Sequence, residues 1–214
     1  MLTIIDAAKS ILWEDDIALQ AMELGLLNLS AYAKKILPLV EEKTFKEVKM
    51  GSIVVALTRI AKEEKGVTEL RPHIIFDDLS IRSPLCDISF SKTDLARKKL
   101  LTLHQHVKVG ENAFFTVTQS MSEITIIAPQ SLSAAIVDHF AEKPKAVYQD
   151  RVGITVRFSK EYLPIPNVLY SIQAALAVHR INFTEVISTC TEFSFILNKE
   201  DLETATRALQ KFLR

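Results

Sequence analysis

Two strand-like runs in this chain close on the same letters, and the segments that follow them come in the same order. Cys86, Ile88 and Phe90 alternate with Asp87, Ser89 and Ser91, and the run ends Phe90-Ser91-Lys92. Val152, Ile154, Val156 and Phe158 alternate with Gly153, Thr155, Arg157 and Ser159, and that run ends Phe158-Ser159-Lys160. A period of two marks a half-buried strand. Each run leads into a helical stretch, "TDLARKKLLTLHQHV" in one case and "NVLYSIQAALAVHR" in the other, where Val168, Ile172, Ala175, Leu176 and His179 share one face. Two strands then follow, "AFFTVTQS" and "EITIIAP" in the first copy, "NFTEVIST" and "EFSFILN" in the second. Each copy adds an amphipathic helix, lined by Leu132, Ile136 and Phe140 or by Leu202, Ala205, Leu209 and Phe212. Ser131 or Ser133 can cap the former, Asn198 or Asp201 the latter.

The order strand-helix-strand-strand-helix-strand is the ferredoxin-like plan, a four-stranded antiparallel sheet with two helices on one face. The first copy continues into "KAVYQD", a fourth short strand, while the second stops after its helix. The fold class expected is therefore α+β, with two tandem ferredoxin-like βαββαβ domains at 85–150 and 151–214. A small helical bundle precedes them at 1–70, with helix-turn-helix as one version of it, followed by a linker or extended segment at 71–84. A sheet without its last strand leaves backbone donors unpaired. The expected supplier is "HIIF" or "LSIR" in the 71–84 segment, separated by a turn at Asp77-Asp78, or a strand from another subunit.

Helical spacing marks the N-terminal region. Ile17, Met22 (or Ala21), Leu24 and Leu27 recur at helical intervals, with Gly25 near a stop. Asn28 or Ser30 can cap "SAYAKKILPLVEE", whose apolar face is Tyr32 (or Ala33), Ile36 and Val40, and Pro38 should kink or shorten that helix. Ser52 can cap a last helix that runs to Gly66.

Charge narrows the partners. Lysine plus arginine and aspartate plus glutamate balance at 26 each, which excludes a generally polycationic nucleic-acid binder but leaves room for a local basic face. Over 43–65, Lys43, Lys46, Lys49, Arg59, Lys62 and Lys65 face only Glu47, Glu63 and Glu64. Lys46, Lys49 and Arg59 are thus candidate DNA contacts, of the sign that releases counterions from phosphate. An ordinary solvated face, or a protein-docking and dimerisation face, fits the same letters. A hydrophobic share of 48% is too high for a disordered chain. The N-terminus lacks the basic start and cleavage site of a signal peptide, and no apolar run reaches the ~20 residues that span a bilayer. The expectation is a soluble, cytoplasmic protein with no membrane partner.

Chemistry-bearing residues are sparse. Cys86 and Cys190 belong to no CxxC pair and sit in strand-like runs, so buried free thiols are expected. His104 and His106 stand two apart on a helix and make a poor metal pair, while His139 and His179 end apolar helical faces as packed or helix-end histidines. No Ser-His-Asp, HExxH or paired-carboxylate spacing stands out. The chain has five glycines, too few for a glycine-rich phosphate cradle. No catalytic residue, metal or cofactor is expected, and the chain reads as a non-enzyme.

The closing letters go beyond pattern. Ile181-Asn182-Phe183, Ile187-Ser188-Thr189, Glu192-Phe193 and Ala205…Ala208-Leu209…Phe212 follow one another as the landmarks of the C-terminal ACT domain of aspartokinases. The stretch resembles that family over about 150–214 and more weakly over 85–150. Nothing in 1–84 resembles an amino-acid kinase, so the chain looks like a regulatory half without its enzyme. The resemblance implies allosteric sensing of a small molecule, in that family lysine or threonine, beside the loop from the first strand to the first helix and across a pair of ACT units. The residues matching that site are Ile165, Pro166, Asn167 and Val168, with Asn182 opposite. The family usually has glycine where Asn167 stands; asparagine is the next-best tolerator of left-handed backbone, and helix capping is its other role. "SKTDLAR" occupies the same place in the first copy and is expected to be structural or to lend one wall. The expected function is a ligand-responsive transcriptional regulator that senses an amino acid and pairs as a homodimer through its ACT-like domains. The alternative is a stand-alone regulatory subunit of an amino-acid biosynthetic enzyme such as an aspartate kinase, whose partner is protein rather than DNA.

Overall fold

The computed structural model describes residues 2–63 and 69–213. It divides into two compact units: the first takes the chain up to His73 together with Pro164–Ser171, the second Ile74–Leu163 and everything from Ile172 on.

The first unit is built on four helices, α1 (Ile4–Trp13), α2 (Asp16–Glu23), α3 (Leu29–Thr44) and α4 (Met50–Glu63). Side-chain oxygens open three of them: Thr3 accepts from the Asp6 amide, Asp15 from Ala18 and Asn28 from Ala31. Each satisfies a helix-start N–H that has no intrahelical partner. Ala7, Ala8, Ile11 and Leu12 of α1 pack with Ala33, Ile36 and Val40 of α3 and Ile53, Leu57 and Ile60 of α4. The buried stripe of α1 thus combines two alanines with Ile11 and Leu12, and Ile4 and Ile5 pack against the same core.

Asn28, not Ser30, is the cap of α3. Pro38 does not shorten that helix, which runs on to Thr44. Ser52 is no cap either: α4 starts at Met50, and the Ser52 amide already donates to the Lys49 carbonyl. The expected end at Gly66 lies outside the described residues.

The second unit is one antiparallel sheet in the order β2-β3-β1-β4-β6-β5. Its strands are β1 (Phe76–Ser91), β2 (Thr116–Gln119), β3 (Glu123–Pro129), β4 (Ala146–Phe158), β5 (Phe183–Ser188) and β6 (Glu192–Asn198). Helices α5 (Asp94–His106) and α6 (Ser133–Phe140) connect the first half of the chain's strands, and α7 (Val168–Ala177) and α8 (Leu202–Gln210) serve the second half. The two sheets expected from the sequence are thus a single sheet with shared strands. Leu85–Ser91 of β1 pairs with β3, while Leu79–Arg82 pairs with Val156–Gly153 of β4. "LSIR" therefore supplies the strand that the C-terminal half lacks, and it comes from the same chain. Asp77-Asp78 is a register irregularity inside β1 rather than a turn, and the boundary expected at 150/151 falls inside β4.

β1 and β4 carry compensating bulges where the halves meet. Arg82 and Leu85 face Gly153 and Arg151, then Leu85 and Asp87 face Arg151 and Tyr148, so each strand in turn holds one extra residue. Asp150, within the β4 bulge, has φ 54. An extra residue resets the two-residue alternation. Cys86, Ile88 and Phe90 on one side of the reset, and Val152, Ile154 and Val156 on the other, are all buried.

Cys86, Ile88, Phe90, Ile124, Ile126 and Ala128 meet Ala96 and Leu103 of α5 and Ile136 and Phe140 of α6. The rings of Phe90 and Phe140 stack at 4.1 Å between centroids. On the alternate residues, hence the opposite face, Leu85, Ile127 and Ile196 form a smaller cluster with Phe114 and Ile187 against it.

Several local expectations differ. Neither Ser131 nor Ser133 caps α6 through its side chain, nor does Asn198 or Asp201 cap α8; both helices are entered through a turn of 3-10 helix instead. Cys86 is buried with its thiol against the Ala128 carbonyl, but Cys190 is exposed in the β5–β6 turn. His139 is buried with Nε2 2.7 Å from the Lys99 carbonyl, while His179 is exposed.

Candidate functional site

The segment ahead of α7 reads Pro164-Ile165-Pro166-Asn167. Two prolines fix φ twice, remove two N–H donors and push Ile165 away from helical backbone. The chain then turns sharply at Asn167, which adopts the left-handed conformation with φ 67. Its carbonyl accepts the Ser171 amide at 3.0 Å, the first bond of the helix. Pro166 and Asn167 are exposed, Ile165 is half-buried and Val168 is buried. Helix starts carry unsatisfied N–H groups and a partial positive charge, which suits a carboxylate.

The first turn of α7 is fastened on its other side. The Tyr170 hydroxyl donates to Asp16 Oδ2 at 3.0 Å, and the Ser171 hydroxyl to the Pro72 carbonyl at 3.1 Å. The Arg71 guanidinium stands 5.4 Å from the centre of the Tyr170 ring. All of these residues belong to the first unit. Asn182 is exposed, directly ahead of β5, and belongs to the second unit. The four consecutive residues 165–168 are therefore one structural feature, and Asn182 is a separate one.

The equivalent helix start in the first copy is closed by side chains. Thr93 Oγ1 accepts the Ala96 amide at 2.9 Å and donates to the Glu142 carboxylate at 2.8 Å. Beside it, Asp94, Arg97, Lys98, Leu100 and Leu101 of α5 and Gln119 of β2 line an open groove, and Leu101 is 84% exposed.

Lys46, Lys49 and Arg59 are all exposed, the lysines between α3 and α4 and the arginine on α4. Arg59 lies 3.6 Å from Glu63. Apolar side chains stand among them: Phe45 is 85% exposed and Val55 62%.

Sequence reasoning passed over Asp87, whose letter is simply the polar half of an alternating strand. It is buried, and its Oδ1 has no hydrogen-bond partner. Burial pushes its carboxyl above the ordinary range, against the pull of Thr184 and Arg151. Glu185 on β5 is raised as well, first by burial and then by the charges of Asp87 and Glu123. Among the described residues no three His, Cys, Asp or Glu side chains converge to hold a metal, and no helix is long and apolar enough to cross a membrane.

The second unit is a six-stranded antiparallel sheet whose two halves share β1 and β4. Among solved structures it matches the regulatory region of aspartokinases. The ligand-free regulatory subunit of aspartate kinase from Thermus thermophilus aligns at 10% identity and a TM-score of 0.53, covering 64% of this chain and 97% of that one. The regulatory subunit from Thermus flavus aligns at 14% identity and 0.51, covering 64% of this chain and 98% of that one. Aspartate kinase from Clostridium acetobutylicum aligns at 10% identity and 0.52, over 65% of this chain but 35% of that one. At such identities the likeness speaks for the fold. No protein-family model matches the sequence, and no curated protein does.

Proposed function

We propose that this chain is a regulatory protein that senses a small molecule of amino-acid type through two ACT-type domains sharing β1 and β4. The observation that carries the reading is Asn167. The resemblance to aspartokinases implies a glycine there, and this residue holds φ 67 at an exposed helix start, the backbone a glycine would supply. A free amino acid brings a carboxylate, which suits the first turn of α7, and an ammonium, which suits carbonyl and side-chain oxygens such as those of Asn167; Asn182, in the other unit, is a second and separate candidate contact. The fold match to regulatory subunits of aspartate kinase supports a regulatory chain that acts on a partner.

The helical unit is read as the part that meets this partner. Exposed Phe45 and Val55 among Lys46, Lys49 and Arg59 favour a protein surface, since an apolar side chain gains nothing against phosphate. A biosynthetic enzyme of the aspartate kinase kind is the partner this reading names. Transcriptional regulation is the second reading, supported by the exposure of the three basic residues, and it requires duplex binding that weakens steeply with salt. The groove along α5 and the four-residue edge strand β2 suit pairing with a second copy, as a homodimer.

Thermal unfolding of the purified protein against each of the twenty amino acids tests the sensor reading. A ligand at 100 times its dissociation constant adds about 2.7 kcal/mol of stability, an easily measured shift. A selective shift that disappears in Asn182→Ala supports the reading. A flat response to the whole panel overturns it.

A further inference from the structure

Every fastening seen at the start of α7 ties the proposed effector loop to the helical unit rather than to the sheet. Tyr170 hydrogen-bonds Asp16, in the first turn of α2, and Ser171 hydrogen-bonds the Pro72 carbonyl. Arg71 lies against the Tyr170 ring. Accordingly Pro164–Ser171 groups with the helices, although the rest of α7, from Ile172, belongs with the sheet.

We propose that Tyr170 and Ser171 are positioning residues for the effector loop, and that Asp16 on α2 is the first group to register whether the loop is occupied. This deepens the sensor reading and rests on it. Occupancy at 165–168 fixes the left-handed turn at Asn167 and the direction of the first turn of α7. Tyr170, three residues on, bonds Asp16 from that turn, so a change in the direction of the turn lengthens or breaks the bond. Coupling between sites is reciprocal, so whatever the loop does to α2, a partner bound to the helices does back to effector affinity. Asp16 is also an acidic residue in the first turn of α2, where negative charge suits the helix start. Changes in its bond to Tyr170 therefore alter the stability of α2 itself.

The test uses the full chain and two variants, Tyr170→Phe, which removes one hydroxyl, and Asp16→Asn, which keeps the size of the acceptor. Amide hydrogen exchange is followed over 16–23 and 171–177, without ligand and with whichever amino acid gives the thermal shift. Without ligand, Tyr170→Phe should speed exchange in 16–23 several-fold. With ligand, the wild type should show slowed exchange in 16–23, and Tyr170→Phe should lose that response while still showing a thermal shift, with the ligand Kd altered at least threefold. Unchanged exchange in 16–23 in the ligand-free variant overturns the coupling, whatever binds. A ligand that shifts the melting temperature equally in all three proteins, without touching 16–23, also overturns it and leaves the sensor reading intact. No thermal shift with any of the twenty amino acids overturns the sensor reading, and with it the regulatory role of Tyr170; altered exchange in the variant would then mark a purely structural anchor.

Discussion

Gly153 lies directly under Leu85: a β-carbon added to it would stand 3.0 Å from Leu85 Cδ1, and 3.3 Å from Ile196 Cδ1 on its other side. Both neighbours are buried in the cluster opposite the helices, at the point where the two halves of the sheet join. Its glycine is required by close approach and not by backbone conformation. Gly153→Val should cost roughly 1–3 kcal/mol through overpacking, read by urea unfolding. An unchanged midpoint would show that Leu85 and Ile196 give way freely.

Asp87 makes the protein respond to acid in an unusual sense. Its carboxyl titrates above the usual 3.8 in the folded chain because burial penalises the charge. Between those two values the folded state holds a proton that the unfolded state has released. Its contribution to stability is therefore greatest below the unfolded pKa and is lost as pH rises through the folded one. Glu185, raised from 4.5, acts in the same direction. Asp87→Asn should be more stable than the wild type at pH 7, with the difference shrinking as pH falls to 4. A variant less stable at pH 7 would refute the assignment.

Asp15 acts in the opposite sense. Lys35 and the Ala18 amide bond its carboxylate and hold it below 3.8, and Lys35 Nζ lies 2.8 Å from Oδ2. Its contribution is present above the unfolded pKa and is lost as pH falls through the lowered one. The neighbouring Tyr32 hydroxyl is pushed up to about 12, by burial first and the Asp15 charge second. Asp15→Ala removes the α2 cap and should cost about 1 kcal/mol at neutral pH. Asp15→Asn, which keeps a capping oxygen, should cost less, and equal losses would place the effect in the charge alone.

At Asn167 the backbone and the proposed ligand make separable demands. The left-handed turn tolerates asparagine and glycine but opposes a β-branched side chain. Asn167→Val should lose about 1–2 kcal/mol, whereas Asn167→Gly should leave stability within a few tenths of a kcal/mol of the wild type. If the side chain partly fills the effector position, Asn167→Gly should also bind the sensed amino acid more tightly by calorimetry. Equal stability of the valine and glycine variants would argue that the turn is not strained.

Much of the sheet unit is legible along the chain. β3 and β6 occupy the very stretches where alternation places strands, and β2, β5 and the helices agree to within a few residues. The signal is local: a strand with one buried face must alternate, and a helix with one buried face must repeat every three to four residues. The loop 165–168 stands out only through resemblance, since nothing in its spacing names a ligand; its backbone is left-handed at Asn167. The region 1–70 reads as helical without the bounds of α1, and the caps expected for α6 and α8 are absent because a 3-10 turn leads into each helix.

What the letters settled, then, is the order and type of elements, because those follow from each segment's own periodicity. They also raised the question of the missing strand without answering it. That β1 runs past Pro84 to serve both halves, that Asp87 is buried while Cys190 is not, and that Tyr170 reaches Asp16 depend on partners far along the chain. An aspartate in an alternating strand has the same local signature whether its face meets water or a second core. Only the assembled fold buries that carboxyl beside Thr184, Arg151 and Glu185, and so decides what it experiences.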